Sequence, residues 1–332
     1  MLQYIVRRLV YGAVTLLALS IIVFTLLQNT GGGPLDRLRA NPRNRPEDIQ
    51  RITEFYGLDQ PAVKQYFTWG GRYVQFWRSD AWGVSFQGEG PVRDLIFDRV
   101  RATLRLMLTS LALAVLIGIP LGVYQALRQY SFFDQAGTTF SFVTFSMPIF
   151  VLAISLQLLL AVYLEKWTGV KFFFNAGMNS SSYSEFSFGA RIGDTLSHLF
   201  LPAISIALIS IAGYSRYQRA SMLDVLHSDY LRTAKAKGLS RRTVVVKHAL
   251  RNALIPIVTL VSLDVAAILG GAVITESIFG WPGIGRKYIE AINTNDYPVV
   301  MAVVMAIGIL TVIMNLFADI VYGFLDPRVR YD

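Results

Sequence analysis

One carboxylate lies well inside an apolar run, Asp264 in the stretch from Ala253 to Ile274. A charge at bilayer depth is expensive, so it faces a partner or a watery cavity. Asp264 is therefore a candidate contact for a cationic group on a pathway, with a helix-packing hydrogen bond as its structural alternative. Arg105, near the end of another apolar run, is long enough to snorkel to the interface. His198, His227 and His248 lack the spacing of metal ligands, and no Ser/His/Asp set assembles around them. Cysteine is absent, which removes disulfides, thiolate metal sites and a thiol nucleophile. The segment Gly280-x4-Gly285 followed by Arg286-Lys287-Tyr288 approaches a phosphate-binding loop, yet the lysine is displaced, no Ser or Thr follows it and no strand pattern precedes it. The chain thus offers little for an enzyme and no nucleotide site of its own.

Its polar residues concentrate elsewhere, in a basic island from Tyr214 to Pro256 between two apolar runs. Ser228 or Asp229 can cap a short helix in which Leu231, Ala234 and Gly238 fall near one face, and Gly238 can end it in a left-handed turn. Ser240 can cap a second helix. A helix-turn-helix across the mouth of a bundle has the shape of a lever that another protein grips.

The elements that hold this lever follow from composition. Of 332 residues 53% are hydrophobic and only 16% charged, too apolar for a soluble domain of this size. The net charge of +9 sits beside apolar runs, where retention on the inner face and anionic lipid explain it better than nucleic acid. Six runs approach the roughly 20 residues needed to cross the hydrocarbon core: 9–27, 104–127, 140–164, 196–214, 253–274 and 299–325. The first is long for a signal peptide and no cleavage pattern follows it, so it reads as a retained span. The expectation is an all-α polytopic membrane protein of six transmembrane helices, a single domain over 1–332, with an extracytoplasmic insert at 28–99 and a cytoplasmic loop at 215–252. Arg7, Arg8, Arg128 and the basic residues of the 215–252 loop place both termini in the cytoplasm. Within the insert, Gly31-Gly32-Gly33-Pro34 breaks the first helix, Pro46 opens a short helix that ends at Gly57, and a second runs from Pro61 to Gly70. Such an insert can touch a soluble partner or serve as a lid. Gly118-Ile119-Pro120-Leu121-Gly122 is expected to kink the second span, and Pro148, Pro202 and Pro256 to interrupt others.

Several of these strings carry a family likeness. Asp229-Tyr230-Leu231-Arg232-Thr233-Ala234-Lys235-Ala236-Lys237-Gly238-Leu239, with His248-Ala249-Leu250-Arg251-Asn252-Ala253 after it, resembles the B-type permease subunit of dipeptide and oligopeptide ABC importers. Arg232 stands where the general loop motif of such permeases has Glu, and Leu250-Arg251 where many have Leu-Pro. Gly57-Leu58-Asp59-Gln60-Pro61, Trp82-Gly83-Val84-Ser85-Phe86, Val92-Arg93-Asp94-Leu95, the run Gly270 to Arg286 and Leu325-Asp326-Pro327-Arg328 are similar to the same family, so the likeness spans nearly the whole chain. The resemblance implies an ABC importer type I permease fold in a bacterial or archaeal cytoplasmic membrane. It also implies a second homologous permease subunit, two ATPase subunits that hold ATP and Mg and grip the loop, and an extracytoplasmic substrate-binding protein. The chain itself would bind no cofactor, and it would meet membrane lipid and peptide but no nucleic acid. The coupling residues would be Asp229, Tyr230, Arg232, Thr233, Ala234, Ala236, Gly238 and Leu239, and Asp264 could meet the amino group of a peptide. Nickel chelates and glutathione are alternative cargoes within the group. A self-sufficient secondary transporter is the reading from a different class, and it would call for inverted halves and several intramembrane ionisable groups.

Overall fold

The computed structural model describes residues 2–29, 39, 45–75, 77–78, 80–88 and 90–325. These are overwhelmingly helical; Val84 and Pro91 form an isolated antiparallel bridge. Among the described residues five helices are long and apolar enough to cross a membrane, or six if a bent pair at 241–264 counts as one. The chain divides into two compact units, one drawn from Met1–Thr103 with Pro282–Ile313, the other from Leu104–Trp281 with Met314–Asp332.

The first unit contains α1 (Leu2–Asn29), α2 (Pro46–Tyr56), α3 (Ala62–Tyr73), the opening turns of α4 (Val92–Leu127), α13 (Ile284–Asn293) and much of α14 (Tyr297–Leu325). Pro46 starts α2 and Gly57, at φ +62°, closes it. The second short helix runs past Gly70 to Tyr73. Small residues bring α1 against α14: a Cβ on Gly12 would lie 2.5 Å from Val312 Cγ1, and one on Gly308 would lie 2.9 Å from Leu16 Cδ2. Trp82, Val92, Ile96, Ile284, Val299 and Val303 form the apolar core. A polar clamp closes it. Asp296, buried, accepts from the Ser85 hydroxyl and from Phe86 N at 3.1 Å. Burial pushes the Asp296 carboxyl above the usual carboxylate range, although both of those donors favour its charged form.

The second unit holds the rest of α4, α5 (Phe132–Ser146), α6 (Ile149–Leu156), a π segment at Gln157–Tyr163, α7 (Leu164–Thr168), α8 (Phe188–Leu226), α9 (Asp229–Ala236), α10 (Arg241–Thr243), a second π segment at Val244–Leu250, α11 (Arg251–Ala253) and α12 (Ile255–Ile278). At its centre, α8 is the most buried of the membrane-length helices. Gly118 and Gly122, one turn apart on α4, let the α8 backbone approach, since a Cβ on Gly122 would sit 2.4 Å from Ser215 O. Ala114, Ala207, Ile211 and Tyr214 pack beside them, with Leu260 of α12 against the same cluster.

Several element limits differ from those read off hydropathy, each for a local reason. The 140–164 run is not one span: Met147 takes extended backbone at φ −82° and ψ 132° ahead of Pro148, which separates α5 from α6. A residue before proline is driven out of the helical region by the ring. The membrane-length helix there is Ile149–Thr168. The 196–214 run is the middle of a 39-residue helix, α8, so the 215–252 loop begins as helix and leaves it only after Leu226. Likewise α4 starts at Val92, inside the 28–99 insert. Pro120 and Pro202 lie within helices that continue through them, whereas Pro256 falls in the first turn of α12, beside a 46° bend. The Gly31 to Pro34 break and Asp326-Pro327-Arg328 lie outside the described residues.

Candidate functional site

The basic island folds as a short platform on the end of α8. Ser228 accepts the first turn of α9 through its carbonyl, from Leu231 N at 3.2 Å and Arg232 N at 3.4 Å, while its hydroxyl turns back to Val225 O. Gly238 follows at φ +76°, the left-handed turn expected of a helix C-terminus. Ser240 then accepts from Thr243 N at 3.3 Å and caps the next helix. One side of α9 is fixed. Leu231, fully buried, packs with Met222 of α8, Val244, Ala249 and Ala253, and half-buried Ala234 joins them. Tyr230 Oη accepts from Asn252 Nδ2 at 2.7 Å, and Ser221 donates to Ala253 O at 3.0 Å, so α9 and α11 are tied to each other and to α8.

The opposite side is open. Asp229, Arg232, Thr233 and Ala236 are exposed and recur at the three- and four-residue spacing that lines up one helix face. Asp229 and Arg232 pair at 3.3 Å, and Thr233 turns its hydroxyl to Asp229 O at 3.1 Å. The middle of this face is thus low, flanked by half-exposed Tyr230 and exposed Leu239. A low, self-neutralised helix face on a buried base can be gripped without the base giving way.

Above the platform an ion pair joins α5 to α8. Arg219 Nε and Nη2 meet Asp134 Oδ1 and Oδ2 at 2.6 and 2.8 Å, and Tyr130 N adds a bond at 2.9 Å. These bonds hold the buried Asp134 carboxyl below its usual range, the Arg219 guanidinium contributing most. Composition placed Arg219 among the inward-facing charges; its partner, 85 residues away, has no local sequence signal.

Asp264, on α12, lines a cavity of about 320 Å³ with Phe145, Ile149, Ser210, Tyr214, Tyr217 and Leu260. The hydroxyls of Ser210 and Tyr214 face its carboxylate, and Tyr214 Oη, buried, closes no hydrogen bond of standard geometry. Sequence singled out Asp264 by its depth in an apolar run but gave no sign of the two hydroxyls facing it, which come from α8, about 50 residues earlier.

The remaining polar candidates are structural. His198 stacks on Phe174 at 3.9 Å and points Nδ1 to Asp194 O at 2.8 Å. His227 Nδ1 lies 2.7 Å from Leu223 O. Among the described residues no three His, Asp or Glu side chains gather as metal ligands. Lys287, of the P-loop-like string, is buried and 3.5 Å from Glu290. Arg105 is exposed and reaches Met178 Sδ at 3.7 Å.

Comparison with known proteins decides what kind of chain this is. Residues 118–331 match the family of the binding-protein-dependent transport system inner membrane component, and residues 1–107 match the N-terminal membrane component of the same systems. The chain belongs to this family. It is 39% identical over 332 residues to the oligopeptide transport system permease protein AppB of Bacillus subtilis, covering all of both chains. Against the dipeptide transport system permease protein DppB of Escherichia coli it is 34% identical over 346 residues, covering all of this chain and 99% of that one. In fold it is similar to an inward-facing structure of the MetNI methionine ABC transporter, with a TM-score of 0.54 over 71% of this chain and 98% of that chain at 15% identity. This permease is therefore a multi-pass membrane protein and a subunit of a binding-protein-dependent transporter.

Proposed function

We propose that this permease forms half of the pathway of an ATP-driven importer for di- and oligopeptides in a bacterial or archaeal cytoplasmic membrane. Both termini face the cytoplasm, and a second homologous permease supplies the other half. Two separate ATPase subunits, which hold ATP and Mg, grip the exposed face of α9 at Asp229, Arg232, Thr233 and Ala236, with Tyr230, Ala234, Gly238 and Leu239 shaping and seating the helix. A binding protein on the outer side delivers the cargo. The names of AppB and DppB support the peptide cargo.

The observation that carries the mechanism is that one helix serves both ends of the stroke. At its last turns α8 seats Leu231 of α9 through Met222, Leu223 and Leu226, and about one to four turns earlier it lines the Asp264 cavity with Ile206, Ser210, Tyr214 and Tyr217. Force applied to α9 is delivered to α8, and a change in the tilt of α8 changes the cavity. In this reading Asp264 borders the pathway and meets the amino group of the peptide, its charge kept in a polar recess by Ser210 and Tyr214.

The test is uptake of a labelled peptide into vesicles that contain the permeases, with and without the ATPase subunits. Uptake that requires ATPase and stops with vanadate is expected; flux driven by an ion gradient through the permeases alone overturns the reading. Asp264→Asn, expressed normally, is expected to raise the KM for peptides with a free amino terminus, and unchanged transport of every peptide removes Asp264 from the pathway.

A further inference from the structure

We infer that α3 is a membrane-surface helix, lying in the leaflet beside the C-terminal end of α1 with its outer face in the lipid acyl chains. Three contacts set its depth. Gln65 accepts from Gln28 Nε2 at 2.5 Å, Tyr66 Oη lies 2.7 Å from Ser20 Oγ, and the Phe24 ring meets Tyr66 edge-on at 5.4 Å and Trp69 at a 30° tilt at 6.3 Å. Ser20 and Phe24 are inside the helix 5–29 that meets the length and hydropathy of a membrane span. Seven residues separate Ser20 from Leu27, the last apolar residue of that run, which is about 10 Å of helix axis. Tyr66 therefore sits about one to two turns below the point where α1 turns polar, the depth at which interfacial helices bury their apolar side, about 5–10 Å into the boundary.

The face that α3 turns away from α1 has the chemistry that depth demands. Val63, Phe67 and Val74 are 69%, 70% and 69% exposed and fall at i, i+4 and i+11 on one stripe. Gly71 lies on the same stripe with nothing within 4 Å of its would-be Cβ. Trp77 continues the apolar surface just beyond the helix, 63% exposed. A helix in water would carry polar residues on that stripe; in α3 the stripe is apolar, while the polar Gln65 is turned inward with Tyr66 and Trp69. The helix beside it, α1, is equally open, since only 11% of its most apolar stretch is buried within the chain. Tyr66, Trp69, Tyr73 and Trp77, within 12 residues of sequence, supply the amphipathic rings that collect at membrane boundaries. Part of the 28–99 insert thus belongs to the lipid, which leaves α2 and the turn that follows it, with exposed Asp59, as the part that faces water.

The absence of cysteine allows a single probe. Phe67→Cys carries an environment-sensitive fluorophore in the assembled transporter, reconstituted into vesicles of phosphatidylcholine and phosphatidylglycerol, with Asp59→Cys as the water-exposed reference. Lipids with a quencher at a shallow acyl position are expected to quench the probe at 67 several-fold more than at 59, while aqueous iodide does the reverse. If Phe67→Cys does not assemble, Val63→Cys reports on the same stripe. Iodide reaching the stripe as freely as position 59 places it in water and overturns the inference. Shielding from both quenchers shows a protein surface there and overturns it equally.

Discussion

Truncating Leu231 to alanine tests the lever where it is narrowest. Leu231 is fully buried between α9 and the end of α8, and α9 is only eight residues long. Removing a buried leucine side chain costs about 2–5 kcal/mol, the transfer of the lost methyl groups plus the cavity left behind. The Tyr230 to Asn252 hydrogen bond, also holding α9, contributes about 1 kcal/mol. Leu231 is therefore the larger anchor, and its loss shifts the seated state of α9 by about 30-fold or more, at 1.4 kcal/mol per factor of ten. In reconstituted vesicles Leu231→Ala is expected to hydrolyse ATP while the peptide taken up per ATP falls steeply. Tyr230→Phe, which loses only the hydrogen bond, is expected to lower the ratio mildly. Normal assembly with an unchanged uptake-to-ATP ratio in Leu231→Ala would refute the claim that a packed α9 transmits force.

Gly238→Val places a β-branched residue at φ +76°, where left-handed backbone costs about 1–2 kcal/mol, but meets no neighbour; it is expected to assemble and to uncouple ATP hydrolysis from uptake. Gly122→Ala puts a Cβ 2.4 Å from Ser215 O and is expected to lower the unfolding temperature of the purified permease, while Gly213→Ala, with open space around it, is expected to be tolerated. Asp296 holds its proton more tightly folded than unfolded because burial of its charge outweighs the bonds from Ser85 and Phe86, so its contribution to stability is fullest below the unfolded pKa of about 3.9 and is lost as pH rises through the raised folded value. Asp296→Asn stays neutral and is expected to flatten that part of the stability-pH profile, measured by thermal unfolding; an unaltered profile would show that Asp296 does not set it.

What the sequence could carry depended on whether the cause was local. Gly57 and Gly238 announce left-handed helix ends and Ser240 announces a cap because those preferences belong to single residues. Hydropathy located the membrane runs but not the helix ends. It stops where charge begins, and α8 continues through Arg216 and Arg219 because Asp134 on α5 receives Arg219. The same blindness hid the first turns of α4, where Arg93, Asp94, Asp98 and Arg101 are helical. Apolar content also could not separate α5 from α6; only the backbone restriction before Pro148 does that. Of the candidate site, the exposed residues of α9 were legible from their string. Their base, Leu231 on Met222 and Tyr230 on Asn252, and the Ser210 and Tyr214 hydroxyls facing Asp264 arise from chain segments brought together by folding.

If the outer face of α9 is the grip for a separate motor, that motor must come within crosslinking distance of it. Arg232→Cys or Ala236→Cys, each a unique cysteine in this subunit, tests it in the assembled transporter with a short bifunctional reagent and cysteines placed along the permease-facing groove of the ATPase subunit. A permease-ATPase crosslink is expected, with a yield that changes when ATP or vanadate is added. A crosslink to the binding protein, or free access of a membrane-impermeant thiol reagent from the outer side, would contradict it.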